Sequence, residues 1–259
     1  MIEVSALASG SSGNSFFIES NKSSFLVDAG ISCKQAEQRM EMIGKDASAL
    51  KGIFITHEHT DHIQGVDVLS RKYSIPVFLT KECYNNCSHI VSDSDLVHFV
   101  EKNKAFRFNG ANILPFPKSH DAHDPVSYTV ISNGRKISVM TDIGVVCSNV
   151  IKNFRDSNIV FLESNHDVDM LKNGPYPAFL KERILSDGGH LSNYEASLLV
   201  LEHTTHKLKH VVLSHLSENN NTEEIALKTM KSLLQHRKDL KKLQIHISGR
   251  HEPTSLISI

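Results

Sequence analysis

Residues 57–62 read His57-Glu58-His59-Thr60-Asp61-His62, placed between the apolar run Gly52-Ile53-Phe54-Ile55-Thr56 and a stretch with Ile63, Val66 and Leu69 at helical spacing. A short apolar run reads as a buried strand, and the 3.6-residue spacing predicts an amphipathic helix from about Asp61 to Tyr73. Extended residues two apart point the same way, so His57 and His59 can share one ion. Asp61 and His62 fall where the chain turns into the helix and can face a second ion. Imidazole and carboxylate donors suit zinc, manganese or iron better than calcium. A chain with this run must fold so that the end of a buried strand opens onto a metal centre.

Two ions need further ligands, expected just past the carboxyl ends of other strands. His120 follows the strand-like Ile113–Lys118 run, Asp142 closes Ile137-Ser138-Val139-Met140-Thr141, and His215 follows Val211-Val212-Leu213. His123 lies three residues after His120, and either could reach the metal. The chain holds 16 histidines and no tryptophan, and near neutral pH imidazole binds metal without first losing a costly proton.

Apolar alternation predicts early strands at 2–8, 14–20, 23–28 and 77–79, with a helical stripe at Ala36, Met40 and Ile43. Asn109-Gly110 and Asn133-Gly134 predict tight hairpin turns. Later the texture alternates, with strands at 159–163, 210–214 and 243–248 and helices near 192–205 and 222–236. Ser192-Asn193-Tyr194-Glu195 has the form of a capping box, and Asn221 with Glu224 a weaker one. No linker, repeat or composition break divides the chain, so one compact domain over 1–259 is expected, an α/β fold of two packed sheets with helices outside. A net charge of −1 provides no global field for nucleic acid or membrane. The apolar content of 40% contains no stretch of membrane-span length. The start Met-Ile-Glu-Val-Ser lacks a secretory pattern, and four scattered cysteines make no disulfide framework. A cytoplasmic protein is expected.

Asp28 within Leu26-Val27-Asp28-Ala29-Gly30, the 57–62 run, His120, Asp142 and His215 occur in the order that marks the metallo-β-lactamase-fold superfamily, and the chain resembles its members. The resemblance implies an αββα four-layer sandwich. It implies that His57, His59 and His120 hold one ion and Asp61, His62 and His215 the other, with Asp142 bridging and Asp28 orienting the site. Within the superfamily the chain is most similar to the YycJ/WalJ group, through Ala8-Ser9-Gly10-Ser11-Ser12-Gly13-Asn14-Ser15, Ser119-His120-Asp121-Ala122, Leu162-Glu163-Ser164-Asn165-His166-Asp167, Gly189-His190-Leu191-Ser192-Asn193, Ser214-His215-Leu216-Ser217 with Asn219-Asn220, and Glu252-Pro253-Thr254. That group implies a DNA-directed nuclease with 5′-to-3′ exonuclease action and a link to mismatch repair.

Two cations about 4 Å apart activate a bridging water and stabilise charge on an attacked phosphoryl or acyl group. Asp61 can accept or orient the proton of that water. His190, just before the capped helix, is the candidate donor to the leaving oxygen. The loop 9–15 reads either as a phosphate cradle or as a tight turn, and Ser12, Asn14 and Asn219 are the candidate substrate-binding residues. Glu163 and His166 border the same region as supporting residues. Lys228, Lys231, Arg237, Lys238, Lys241 and Lys242 form either a phosphate-facing patch or a solvated helix face. A small-molecule phosphodiesterase or a thioester or lactone hydrolase is the alternative on the same scaffold, and salt-sensitive binding to DNA would separate the two.

Overall fold

The computed structural model describes all residues from Met1 to Ile259, which divide into two compact units. The first comprises Met1–Pro117, Ala122–Arg135 and Gly249–Ile259; the second comprises Lys118–Asp121 and Lys136–Ser248. The boundaries fall within strand and site segments, with no flexible composition to mark them, so the sequence pattern of a single domain carries no sign of them.

In the first unit the chain runs β1 (Ile2–Ala8), β2 (Ser15–Ser20), β3 (Ser23–Val27), α1 (Cys33–Met42), β4 (Leu50–Phe54), α2 (Thr60–Ile63), α3 (Val66–Tyr73), β5 (Val77–Leu79), α4 (Lys81–Cys87), β6 (Val97–Phe99), β7 (Phe106–Phe108), β8 (Ala111–Pro117) and β9 (Val126–Ser132). Strands β1 to β3 pair antiparallel, and β3 to β6 pair parallel through helical crossovers. Side chains alternate across this sheet, as period-2 geometry requires. Leu26, Ile53 and Val77 join a buried cluster with Met40 of α1 and Leu69 of α3. Their neighbours Phe25, Phe54 and Phe78 point the other way. There Phe54 stacks on Phe78 at 4.8 Å and meets Phe108 edge-on at 5.2 Å and Tyr128 at 5.6 Å. The antiparallel strands β7, β8 and β9 thus close the second face of the sheet. The β7–β8 turn carries Asn109 at φ 45° and Gly110 at φ 87°, the two positive values expected of a tight hairpin.

The helix expected from Asp61 to Tyr73 is broken into α2 and α3. The break is at Gly65, whose N–H donates to Ala29 O at 2.8 Å, and a β-carbon there would lie 2.0 Å from Ile31 O. Periodicity reports which face is buried, and it carries no record of this close backbone approach.

The second unit contains β10 (Arg135–Met140, its first residue belonging to the first unit), α5 (Ser148–Phe154), β11 (Ile159–Glu163), α6 (Val168–Asn173), α7 (Ala178–Leu185), α8 (Asn193–His203), β12 (His210–Ser214), α9 (Glu223–Leu234) and β13 (Gln244–Ile247). Strands β10 to β13 are parallel and in sequence order. Every residue of β11 is buried, as for strands covered on both faces. Strand β14 (Ile257–Ser258) returns to pair with β1 in the first unit. Helix α8 begins with the expected Ser192–Glu195 capping box. Helix α9 is capped by Thr222, whose Oγ1 accepts from Ile225 N, while Asn221 Oδ1 accepts from Thr222 N. Removing that cap as Thr222→Ala is expected to cost about 1 kcal/mol and lower Tm by roughly 2–4 °C, read by thermal unfolding. No helix is long and apolar enough to cross a membrane.

Candidate metal centre

In the first unit the site residues grow from the carboxyl ends of two adjacent parallel strands. Asp28 follows β3 in a left-handed conformation at φ 60° and is wholly buried. Its carboxylate accepts from Thr56 N at 2.8 Å, from Thr56 Oγ1 at 2.8 Å and from His62 Nδ1 at 2.7 Å. The single proton of Thr56 Oγ1 goes to Asp28, so this oxygen accepts from His57 Nδ1 at 2.9 Å. Both imidazoles are therefore oriented with Nε2 as the lone-pair nitrogen. His57 Nε2 and His59 Nδ1 are 3.1 Å apart, and His62 Nε2 and Asp61 Oδ2 are 3.4 Å apart. Gly30 permits this packing, since a β-carbon on it would fall 1.6 Å from Asp61 O.

Asn14, a predicted substrate residue, is wholly buried. Its N–H donates to Asp61 O at 2.7 Å and its side-chain amide to Asp61 Oδ2 at 3.1 Å. It holds Asp61 in place. Ser12 is exposed on the preceding loop. His123 is exposed, and Glu58 Oε1 accepts from its backbone N–H and from Nδ1, both at 2.7 Å. The choice between His120 and His123 is thereby narrowed, because His123 belongs to a surface pair with Glu58.

In the second unit the ends of β10, β11 and β12 present Asp142, Glu163 and His215 in a row. Asp142 and His215 are both at φ 56° and both buried. Asp142 Oδ1 lies 3.5 Å from His215 Nε2, 3.9 Å from His120 Nε2 and 3.9 Å from His190 Nδ1. Ligand atoms of Asp142, Glu163, His190 and His215 all fall within 4.8 Å of one another. His120 Nδ1 is 3.2 Å from Gly189 O, which directs Nε2 toward Asp142. Burial pulls His120 down to a pKa of about 3 against the opposing charge of Asp142, so this imidazole is neutral and ready to bind a cation.

Glu163 is wholly buried and occupies both carboxylate oxygens. Oε2 accepts from Ile143 N at 2.6 Å and Leu191 N at 3.2 Å, and Oε1 from His190 Nδ1 at 2.8 Å. Burial lowers the His190 pKa, but the charge and hydrogen bond of Glu163, helped by Asp142 and Asp121, outweigh it and hold His190 above its ordinary value. His190 also stacks on His215, with centroids 5.2 Å apart. In the sequence Glu163 reads only as a supporting residue at the border of the site. A carboxylate ending an apolar strand was the available signal, and its pairing with a histidine 27 residues on was not. The other predicted substrate residue, Asn219, is exposed and donates to Tyr176 Oη at 3.1 Å. His166 is buried away from solvent, and both ring nitrogens lack a hydrogen-bond partner.

These donors fit a borderline divalent cation. Two ligands at about 2.05 Å from one tetrahedral ion sit about 3.3 Å apart. The pairs His57–His59, His62–Asp61 and His215–Asp142 measure 3.1, 3.4 and 3.5 Å.

The family profile described as "Beta-lactamase superfamily domain" matches residues 23–216, spanning the run from Asp28 to His215. The chain belongs to the metallo-β-lactamase superfamily. It is 36% identical over 238 residues to "Exodeoxyribonuclease YycJ" of Bacillus anthracis, covering 91% of this chain and 90% of that protein. It is 38% identical over 230 residues to "Exodeoxyribonuclease WalJ" of Streptococcus pneumoniae, covering 87% of this chain and 86% of that one. A solved structure, the metallo-β-lactamase fold protein YhfI from Bacillus subtilis, superposes with TM-score 0.73 at 13% identity over 98% of both chains. That likeness shows the fold, the expected αββα sandwich. The YycJ/WalJ-like member is a metal-dependent hydrolase. Its Asp28 is the support on which two candidate ligands hang. Asp28→Asn is expected to weaken metal affinity roughly 10–100-fold, measured by competition against a chelating dye, with wild-type affinity refuting the role.

Proposed function

We propose that this YycJ/WalJ-like protein is a dinuclear phosphodiesterase that degrades DNA from the 5′ end, and that residues 1–259 act as a single catalytic domain. His57, His59 and His120 are assigned to one ion and Asp61, His62 and His215 to the other, with Asp142 shared. The observation that carries the reading is the His190–Glu163 pair beside Asp142 and His215, an acid positioned next to a ligand set. The names of the two relatives support DNA as substrate. Four free cysteines are in keeping with a reducing compartment, which supports a cytoplasmic place.

Two divalent cations, zinc, manganese or iron, would supply Lewis acidity to the phosphoryl oxygens and a more acidic water. Asp61, held by Asn14, accepts or orients the proton of the attacking water. Glu163 accepts the Nδ1 proton of His190 and its charge favours the imidazolium form, whose Nε2–H is the proton that the leaving oxygen needs. Ser12 and Asn219 are proposed to meet the nucleic-acid backbone. Asn14 is better read as acting through Asp61, since its amide is already engaged there.

The test is a substrate panel at defined Mn²⁺ or Zn²⁺: 5′-phosphorylated duplex DNA, single-stranded RNA, a cyclic phosphodiester and a thioester. Hydrolysis of the duplex, abolished by high salt as phosphate contacts are lost, is the expected result. Turnover of the thioester alone would overturn the nuclease reading.

A further inference from the structure

Two polar residues, Ser164 and Asn165, follow the apolar strand β11 and are almost fully buried. Burying such groups is costly unless they are hydrogen-bonded, and Asn165 turns its backbone N–H, its backbone carbonyl and its side-chain amide N–H to the two loops that carry His190 and His215. Its N–H donates to Leu191 O at 2.9 Å, next to His190. Its side-chain amide donates to His215 O at 3.0 Å, and its own carbonyl accepts from Ser217 N at 2.7 Å. His215 is thus bracketed, by Asn165 at its own carbonyl and at Ser217 and by Ser164, whose N–H donates to Ser214 O at 2.9 Å, while it holds a left-handed backbone at φ 56° that a β-carbon disfavours. Asn221 fastens the bracket, donating to Ser164 O at 2.8 Å and Asn165 O at 3.0 Å. It is locked in turn by a reciprocal amide pair with Asn193, at 2.8 and 2.9 Å.

We propose that Asn165 is a positioning residue for the ion assigned to His215, setting its affinity by fixing the His215 backbone against Asp142 and the His190 loop. This rests on the two-ion reading above. Asn165 touches neither substrate nor ion; it acts through His215, whose Nε2 it keeps 3.5 Å from Asp142 Oδ1.

The experiment is a calorimetric titration of the metal-free full chain with Co²⁺, with the visible spectrum of the bound ion recorded at each step. Wild type is expected to bind in two steps. Asn165→Ala is expected to weaken one step about 10–100-fold and alter only that step's absorption. Asn165→Ser keeps a hydroxyl donor one bond nearer the backbone than the amide nitrogen and is expected to lose less. Asn173→Ala, which removes an exposed amide bonded to Asp169 O, is the matched control and should match wild type. Two unchanged steps in a folded Asn165→Ala, or equal losses in the Ala and Ser variants, overturn the proposal alone. Should Asn165→Ala fail to fold, an unchanged titration of Asn165→Asp, which keeps the shape and removes the donor to His215 O, overturns it. A wild type that binds a single ion overturns the two-ion reading and this proposal together.

Discussion

Asp142→Ala is expected to abolish hydrolysis of every substrate the protein accepts, a loss of about 10³-fold or more, with at least one ion lost. The size follows from position. Asp142 Oδ1 faces three imidazoles, those of His215, His120 and His190, at 3.5, 3.9 and 3.9 Å. The carboxylate is buried at the end of β10, where charge is weakly screened and its interactions are strong. Removing it leaves neutral donors to face a divalent ion. The several kcal/mol of transition-state stabilisation a metal supplies then disappears, at about tenfold per 1.4 kcal/mol. Metal content by atomic absorption and initial rates on 5′-phosphorylated duplex would decide it. Retention of a tenth of wild-type activity with full metal content would remove Asp142 from the ligand set.

Much of this centre was legible in the sequence because metal donors at strand ends leave a local signature. An apolar run followed by His57-Glu58-His59-Thr60-Asp61-His62 already says that a strand ends and donors begin. Met140 to Asp142 and Leu213 to His215 repeat the pattern. The β7–β8 hairpin and the α8 capping box were legible for the same reason, since each depends on residues within four positions. Less legible were features built across long separations. Gly65 breaks a helix because of Ala29 and Ile31, and Glu163 owes its role to His190 and to the amides of Ile143 and Leu191. Asn165 reads as ordinary loop until His215 and Ser217 are seen on it. Short helices such as α5, α6 and α7 were also missed, because six to eight residues do not establish a period.

His190→Ala carries the second large effect: kcat is expected to fall about 10²–10⁴-fold, the usual contribution of a positioned acid, with metal content unchanged. Unchanged metal content separates two roles, because His190 also belongs to the group with Asp142, Glu163 and His215 whose donors lie within 4.8 Å. Loss of an ion along with activity would make His190 a ligand and remove the acid from the mechanism. Glu163→Gln tests the other end of the pair. Glutamine can still accept from Ile143 N and Leu191 N through its oxygen, but its amide then points N–H at the His190 Nδ1–H. The imidazole must flip tautomer or turn, and in either case it no longer gains from a charged partner, so kcat is expected to fall roughly tenfold. Because Glu163→Gln keeps the contacts to Ile143 N and Leu191 N and changes only the side facing His190, the two losses cannot add. The double variant should be no slower than His190→Ala, whereas a further tenfold drop would show that Glu163 serves the site by a second route.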